Sequence, residues 1–135
     1  MTKKYLDELS FKIIGAAIEV HKALGPGLLE SVYHKCMMTE LKEKKMTYVS
    51  EINVPVTYKG TELETLLRCD FLIENCIALE LKSVDAVTPV FEAQVLTYMK
   101  LLNAPKGILI NFNCTNIFKE GQRTFVNELY RNLPD

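Results

Sequence analysis

The sequence predicts an α/β fold: a mixed β-sheet flanked by α-helices, in the order ααβββαβα. Three observations carry this. Apolar residues recur at three- and four-residue steps along the first part of the chain. β-branched and aromatic residues with partial alternation then take over. Near the end, "KGILINFN" is an apolar strand of the fully buried kind.

The elements follow in order. From Tyr5 to Leu24, the residues Leu6, Leu9, Ile13, Ala17, Val20 and Leu24 mark one face of a helix, which Gly25-Pro26-Gly27 ends. A second helix is expected from about Leu28 to Lys44. Its apolar face is Leu29, Val32, Cys36 and Leu41, flanked by Leu28 and Met37. The stretch "TYVSEINVPVTYKG" reads as a strand closing in a Lys-Gly turn, and Pro55 suggests an edge or a bulge. "ETLLRCDFLI" and "CIALELKS" form a hairpin turning at Glu74-Asn75. Pro89 to Asn103 is helical, with Pro89 suited to the first turn. After the buried strand, Gly121 to Leu133 reads as a closing helix.

With 135 residues, a single domain over residues 1–135 is expected, large enough for a genuine core. The net charge of −1 excludes a global basic field, though not a local basic patch. No apolar run is long enough for a membrane span, and the first residues lack the features of a signal peptide. Four cysteines (Cys36, Cys69, Cys76 and Cys114) form no C-x-x-C pair and read as buried reduced thiols. A cytoplasmic location is the resulting expectation. No P-loop, dinucleotide fingerprint or nucleophile elbow is present.

The hairpin holds charged residues inside apolar runs. Alternation puts Leu67, Cys69, Phe71 and Ile73 on one face of its first strand, and Ile77, Leu79 and Leu81 on one face of its second. Asp70, Glu80 and Lys82 are expected on the opposite face. A turn centred on Asn75 sets Asp70 across from Glu80, with Cβ atoms roughly 5 Å apart. Two carboxylates that close repel, and burial raises the cost. Lys82 could neutralise one of them. A hard divalent cation could neutralise both, taking oxygens from Asp70, Glu80 and the Leu81 backbone carbonyl. Lys82 would then stand beside it, able to orient or deprotonate a water, as metal-assisted phosphodiester hydrolysis requires. The plainer reading is the solvent side of a hairpin with an ordinary salt bridge.

Glu30 and Tyr33, three residues apart, share a helix face just after the glycine joint. Glu30 either complements the helix dipole or turns toward the sheet as an acidic ligand. Gln94 and Tyr98 share a face of the later helix beside Phe91, where an interposed glutamine wants a polar partner. His21 reads first as a histidine closing its helix. His34 with Cys36 is too sparse for a zinc site. The lysines at 42, 44 and 45 read as a solvated helix end, while Lys3, Lys4, Lys100, Lys106 and Arg123 are candidates for contact with a nucleic-acid backbone.

Taken together, these motifs resemble the GxxExxY family of the PD-(D/E)XK nuclease superfamily. Gly27, Glu30 and Tyr33 match the name-giving pattern, and Asp70 with Glu80-Leu81-Lys82 matches the superfamily core. Gln94 and Tyr98 match a Q-x-x-x-Y element, and Gly107 to Asn113 resembles the late core strand. One departure is Cys69 where proline often precedes the aspartate. The resemblance implies a restriction-endonuclease-like core and a Mg2+ or Mn2+ ion at Asp70 and Glu80, with Glu30 assisting. It implies Lys82 as the catalytic lysine, Gln94 and Tyr98 in support, and Tyr33 and His21 against substrate. The expected function is hydrolysis of nucleic acid, DNA ahead of RNA, without a membrane and with a homodimer or protein partner by analogy. The alternative is a catalytically inactive nucleic-acid- or protein-binding module on the same fold.

Overall fold

The computed structural model describes residues 1–135. Helix α1 (Lys3–Leu24) is opened by Thr2, whose hydroxyl accepts a hydrogen bond from the Tyr5 amide at 3.0 Å. It buries Leu6, Leu9, Ile13, Ala17 and Val20 and stops at Gly25, whose φ of 71° favours glycine. Helix α2 (Glu30–Glu43) begins later than the sequence suggests. Its inward face is Tyr33, Met37 and Leu41, which corrects the expected stripe through Leu29 and Val32. Leu29 is 75% exposed. The rotation follows from Tyr33, whose ring stacks flat on Phe112 with centroids 4.2 Å apart.

The main sheet holds five strands in the order β1-β4-β5-β6-β7. They are β1 (Tyr48–Asn53), β4 (Arg68–Ile73), β5 (Ile77–Lys82), β6 (Lys106–Asn111) and β7 (Gln122–Val126). The β5–β6 pair is parallel and the other pairs are antiparallel, so the sheet is mixed, as expected. Helices α1 and α2 cover one face, over Phe71, Ile73, Leu79, Leu81 and Ile110. Helix α3 (Pro89–Leu101) covers the other, over Cys69, Leu72, Ala78 and Leu109. Gly107 sets the spacing there: a Cβ on it would lie 2.5 Å from the Met99 sulfur of α3.

Three further expectations change. The stretch read as one strand breaks at Val54-Pro55. Strands β2 (Val56–Tyr58) and β3 (Thr61–Leu63) then form a separate two-stranded sheet, exposed along most of its length and turning at Lys59-Gly60. The hairpin's first strand begins only at Arg68. The closing helix over Gly121–Leu133 is replaced by a π-helical turn (Ile117–Gly121), strand β7 and a short α4 (Glu128–Arg131). Phe125, Leu129 and Leu133 imitate a helical period. Asn127 breaks it: its side chain caps α4 at the Tyr130 amide and donates to the Ala104 carbonyl at 3.0 Å.

The two ends of the chain meet. The Lys3 amide donates to the Pro134 carbonyl at 2.9 Å. Lys106, considered above for a nucleic-acid surface, is instead buried at the start of β6, 2.7 Å from Asp7, which also accepts from the Tyr130 hydroxyl.

Candidate active site at the β4–β5 fork

Glu74 and Asn75 take left-handed φ values of 50° and 57° and turn β4 into β5. The ladder then pairs Ile73 with Ile77, Leu72 with Ala78 and Phe71 with Leu79. This is the register centred on Asn75 that the sequence suggests. One step further the backbone rungs stop, and side chains replace them. The Asp70 amide donates to Glu80 Oε1 at 3.0 Å, and the Leu81 amide donates to Asp70 Oδ2 at 2.8 Å.

The other side of β4 is irregular at the same point. β1 and β4 pair at Ser50–Phe71 and Ile52–Cys69 but not between, and Glu51 has a φ of 51°. The alternation therefore breaks at Asp70. Cys69 and Leu67 pack with Leu72 under α3, while Phe71 packs under α2. This corrects the expected common face. It also lets Asp70 lean toward α2 while Glu80 stays under α3, with both carboxylates meeting in the opened fork.

Burial pushes the Glu80 carboxyl well above the usual carboxylate range, and the nearby Asp70 charge pushes it further. Lys82 opposes this from 3.6 Å. The Lys82 ammonium also lies 4.7 Å from the centre of the Phe91 ring, so it is held between α3 and the carboxylate. Glu30 is half-buried on the first turn of α2. Burial raises its carboxyl, Lys82 lowers it and Asp70 raises it, so all three groups share one field.

Tyr98 is buried on the sheet-facing side of α3. Its hydroxyl is pushed up by burial first and by the Glu80 charge second. Gln94 sits one turn earlier on α3, half-buried. Tyr33 and His21 lie away from the fork. Tyr33 is fully buried, and its hydroxyl donates to the Gly25 carbonyl and accepts from the Leu28 amide at 3.2 Å. Its role is to hold the glycine joint. His21 bonds the Cys114 carbonyl at 2.9 Å and lines a different cleft.

His34 belongs to the site, although sequence reasoning set it aside. Its Nδ1 lies 3.7 Å from Asp70 Oδ1, its Nε2 lies 2.7 Å from Ser50 Oγ, and its ring stacks on Phe71. Glu30, His34, Ser50, Glu51 and Asp70 line a common cleft of about 410 Å³. The available signal was the four-residue step from Glu30, which puts both on one helix face. Asn111 was missed as well. Buried at the end of β6, it accepts from the Val84 amide and donates to the Val84 carbonyl, both at 3.0 Å, and so clamps the chain just after Lys82. A lone amide closing the run "GILIN" was its signal.

Glu30, Asp70 and Glu80 supply hard oxygen donors, the type that Mg2+ and Mn2+ prefer. Two facing carboxyls with one driven toward its neutral form are what a bound cation would relieve. That donor chemistry fits the ion. The side chains do not, as they stand, converge into a preformed cage of three or more ligands. One oxygen each of Asp70 and Glu80 is engaged by a backbone amide.

Comparison with protein-family models gives a match to the PD-(D/E)XK nuclease superfamily over residues 7–124. Neither the curated proteins nor the solved structures give a match.

Proposed function

The chain belongs to the PD-(D/E)XK nuclease superfamily, and from that premise we propose that it is a metal-dependent nuclease cleaving phosphodiester bonds at the β4–β5 fork. The finer GxxExxY assignment, on Gly27, Glu30 and Tyr33, is part of the same proposal. The observation that carries it is the juxtaposition of Asp70, Glu80 and Lys82 in one half-closed fork, with Glu30 on the adjoining helix turn.

Asp70 and Glu80, with the Leu81 carbonyl, would hold Mg2+ or Mn2+, and Glu30 would add a further oxygen. The ion supplies Lewis acidity at the phosphate and an acidified water. The rest is the chain's own work. Lys82, steadied by Phe91 and Glu80, offers an ammonium where negative charge develops and orients the attacking water. Tyr98 and Gln94 back the fork from α3. His34, fixed by Ser50 and Phe71, keeps Asp70 on the α2 side. DNA is the proposed substrate ahead of RNA. The chain lacks a global basic field, so a second copy or a protein partner is proposed to add grip. The proposed location is the cytoplasm.

The test is a cleavage panel of single-stranded, duplex, branched and RNA substrates with manganese, run beside Lys82→Ala. Cleavage by the parent and not by the variant is expected. Equal survival of every substrate with both proteins would instead favour a binding module on the same fold.

A further inference from the structure

We propose that the π-helical turn after β6 is a subsite for a single strand of nucleic acid, with Phe118 stacking on a base and Lys22 and Lys119 meeting the neighbouring phosphates. The proposal takes its ligand class from the nuclease reading and adds the form of the substrate.

The turn is held rigidly from below. Ile117 is in the core, and a Cβ on Gly121 would lie 2.7 Å from the Asn111 carbonyl oxygen. The Asn116 side chain accepts from the Lys119 amide at 2.8 Å, and Thr115 donates to Glu120 at 2.9 Å. The His21 ring fixes the Cys114 carbonyl from α1. On this support Phe118 is 60% exposed. Isolated exposed apolar side chains are ordinary on protein surfaces, so the weight rests on what surrounds the ring. Here the ring is displayed on a turn fastened on both sides, by Asn116 and by the packing of Ile117 and Gly121.

Charge points the same way. A cleft of about 260 Å³ beside the ring is lined by His21, Lys22, Thr115, Asn116 and Phe118, with no carboxylate. Glu120, on the same turn, is engaged by Thr115. Lys119 follows Phe118 on the exposed turn. Aromatic rings interleaved with cations are how sequence-tolerant binders follow a single strand.

Asn111 ends β6 in register with Lys82, and the Phe112 amide donates to the Lys82 carbonyl at 2.9 Å. The turn therefore leaves from the end of the sheet that carries the carboxylate fork. Inside a duplex, neighbouring bases cover each base face. A ring such as Phe118 finds a stacking partner only where a strand is open.

The test is fluorescence anisotropy with the full chain in EDTA, where no metal-dependent cleavage occurs. One labelled oligonucleotide is used alone and as its duplex. Phe118→Ala should weaken single-strand binding about ten-fold and leave duplex binding within about two-fold, and Phe118→Tyr should restore it. Lys22→Gln and Lys119→Gln should each lower the salt dependence by about one phosphate contact. Phe118→Ala binding the single strand as tightly as the parent would overturn the subsite alone. A parent that binds neither form would overturn the subsite together with the nucleic-acid reading beneath it.

Discussion

Asp70 and Glu80 exchange the work of a missing backbone rung: Glu80 accepts from the Asp70 amide at 3.0 Å, and Asp70 accepts from the Leu81 amide at 2.8 Å. Each carboxyl is thereby fixed by one oxygen. The other oxygen of each is turned to a basic group, Asp70 Oδ1 to His34 and Glu80 Oε2 to Lys82.

The first prediction concerns pH in the absence of divalent ions. Burial first, and the Asp70 charge second, push the Glu80 carboxyl up to about 8 in the folded chain, above its usual value of 4.5. A raised folded-state value favours the neutral form. Its contribution to stability is full below the ordinary carboxylate range and is lost as pH rises through the folded-state value. Thermal melts in EDTA should therefore show Tm falling between about pH 5 and pH 8. Glu80→Gln should flatten that slope. A Tm that climbs over this interval in the parent would contradict the placement of Glu80.

Manganese should reverse the effect. An ion bound to the folded chain alone stabilises it by about 2.7 kcal/mol at a hundred times its Kd. The rise in Tm should be larger at the alkaline end, where the carboxylates are charged, and should vanish in Asp70→Asn. Calorimetry checks the same point, and equal heats for parent and variant would remove Asp70 from the ligand set.

His34 should separate packing from chemistry. Replacing it by alanine removes the stack on Phe71 and should cost about 1 kcal/mol in denaturant melts. His34→Phe keeps a ring in place and should restore stability without restoring kcat/KM. Full activity in His34→Phe would make the residue a packing group only.

Tyr33→Phe keeps the stack on Phe112 but strips the hydroxyl from the glycine joint. A loss of about 1 kcal/mol is expected, with oligonucleotide affinity unchanged. Lower affinity at unchanged Tm would return Tyr33 to the substrate surface.

The sequence was most readable where one rule governed. Period located α1, a continuous apolar run located β6, the Glu74-Asn75 turn located the hairpin, and parity about Asn75 brought Asp70 to Glu80. It failed where two rules competed. Strict alternation put Cys69 with Phe71, but the carboxylate-for-backbone exchange at Asp70 flips the strand, and nothing local announces that. The α2 stripe was drawn through Leu29 and Val32, because a tyrosine with an internal partner for its hydroxyl is indistinguishable from a rim tyrosine until Phe112 is seen. β7 is half-exposed, so its alternation was too faint to outweigh an apparent helical spacing. His34 was legible as a neighbour of Glu30 but carried no partner in sequence; Ser50 and Phe71 supply the partners from other elements.

The hydrogen bond from Lys3 to Pro134 has a practical corollary. Both chain ends emerge beside Lys106, where β6 starts, whereas the carboxylate fork lies where β5 finishes. A fused domain or an immobilising tag on either terminus would depart from the far pole and leave the fork uncovered.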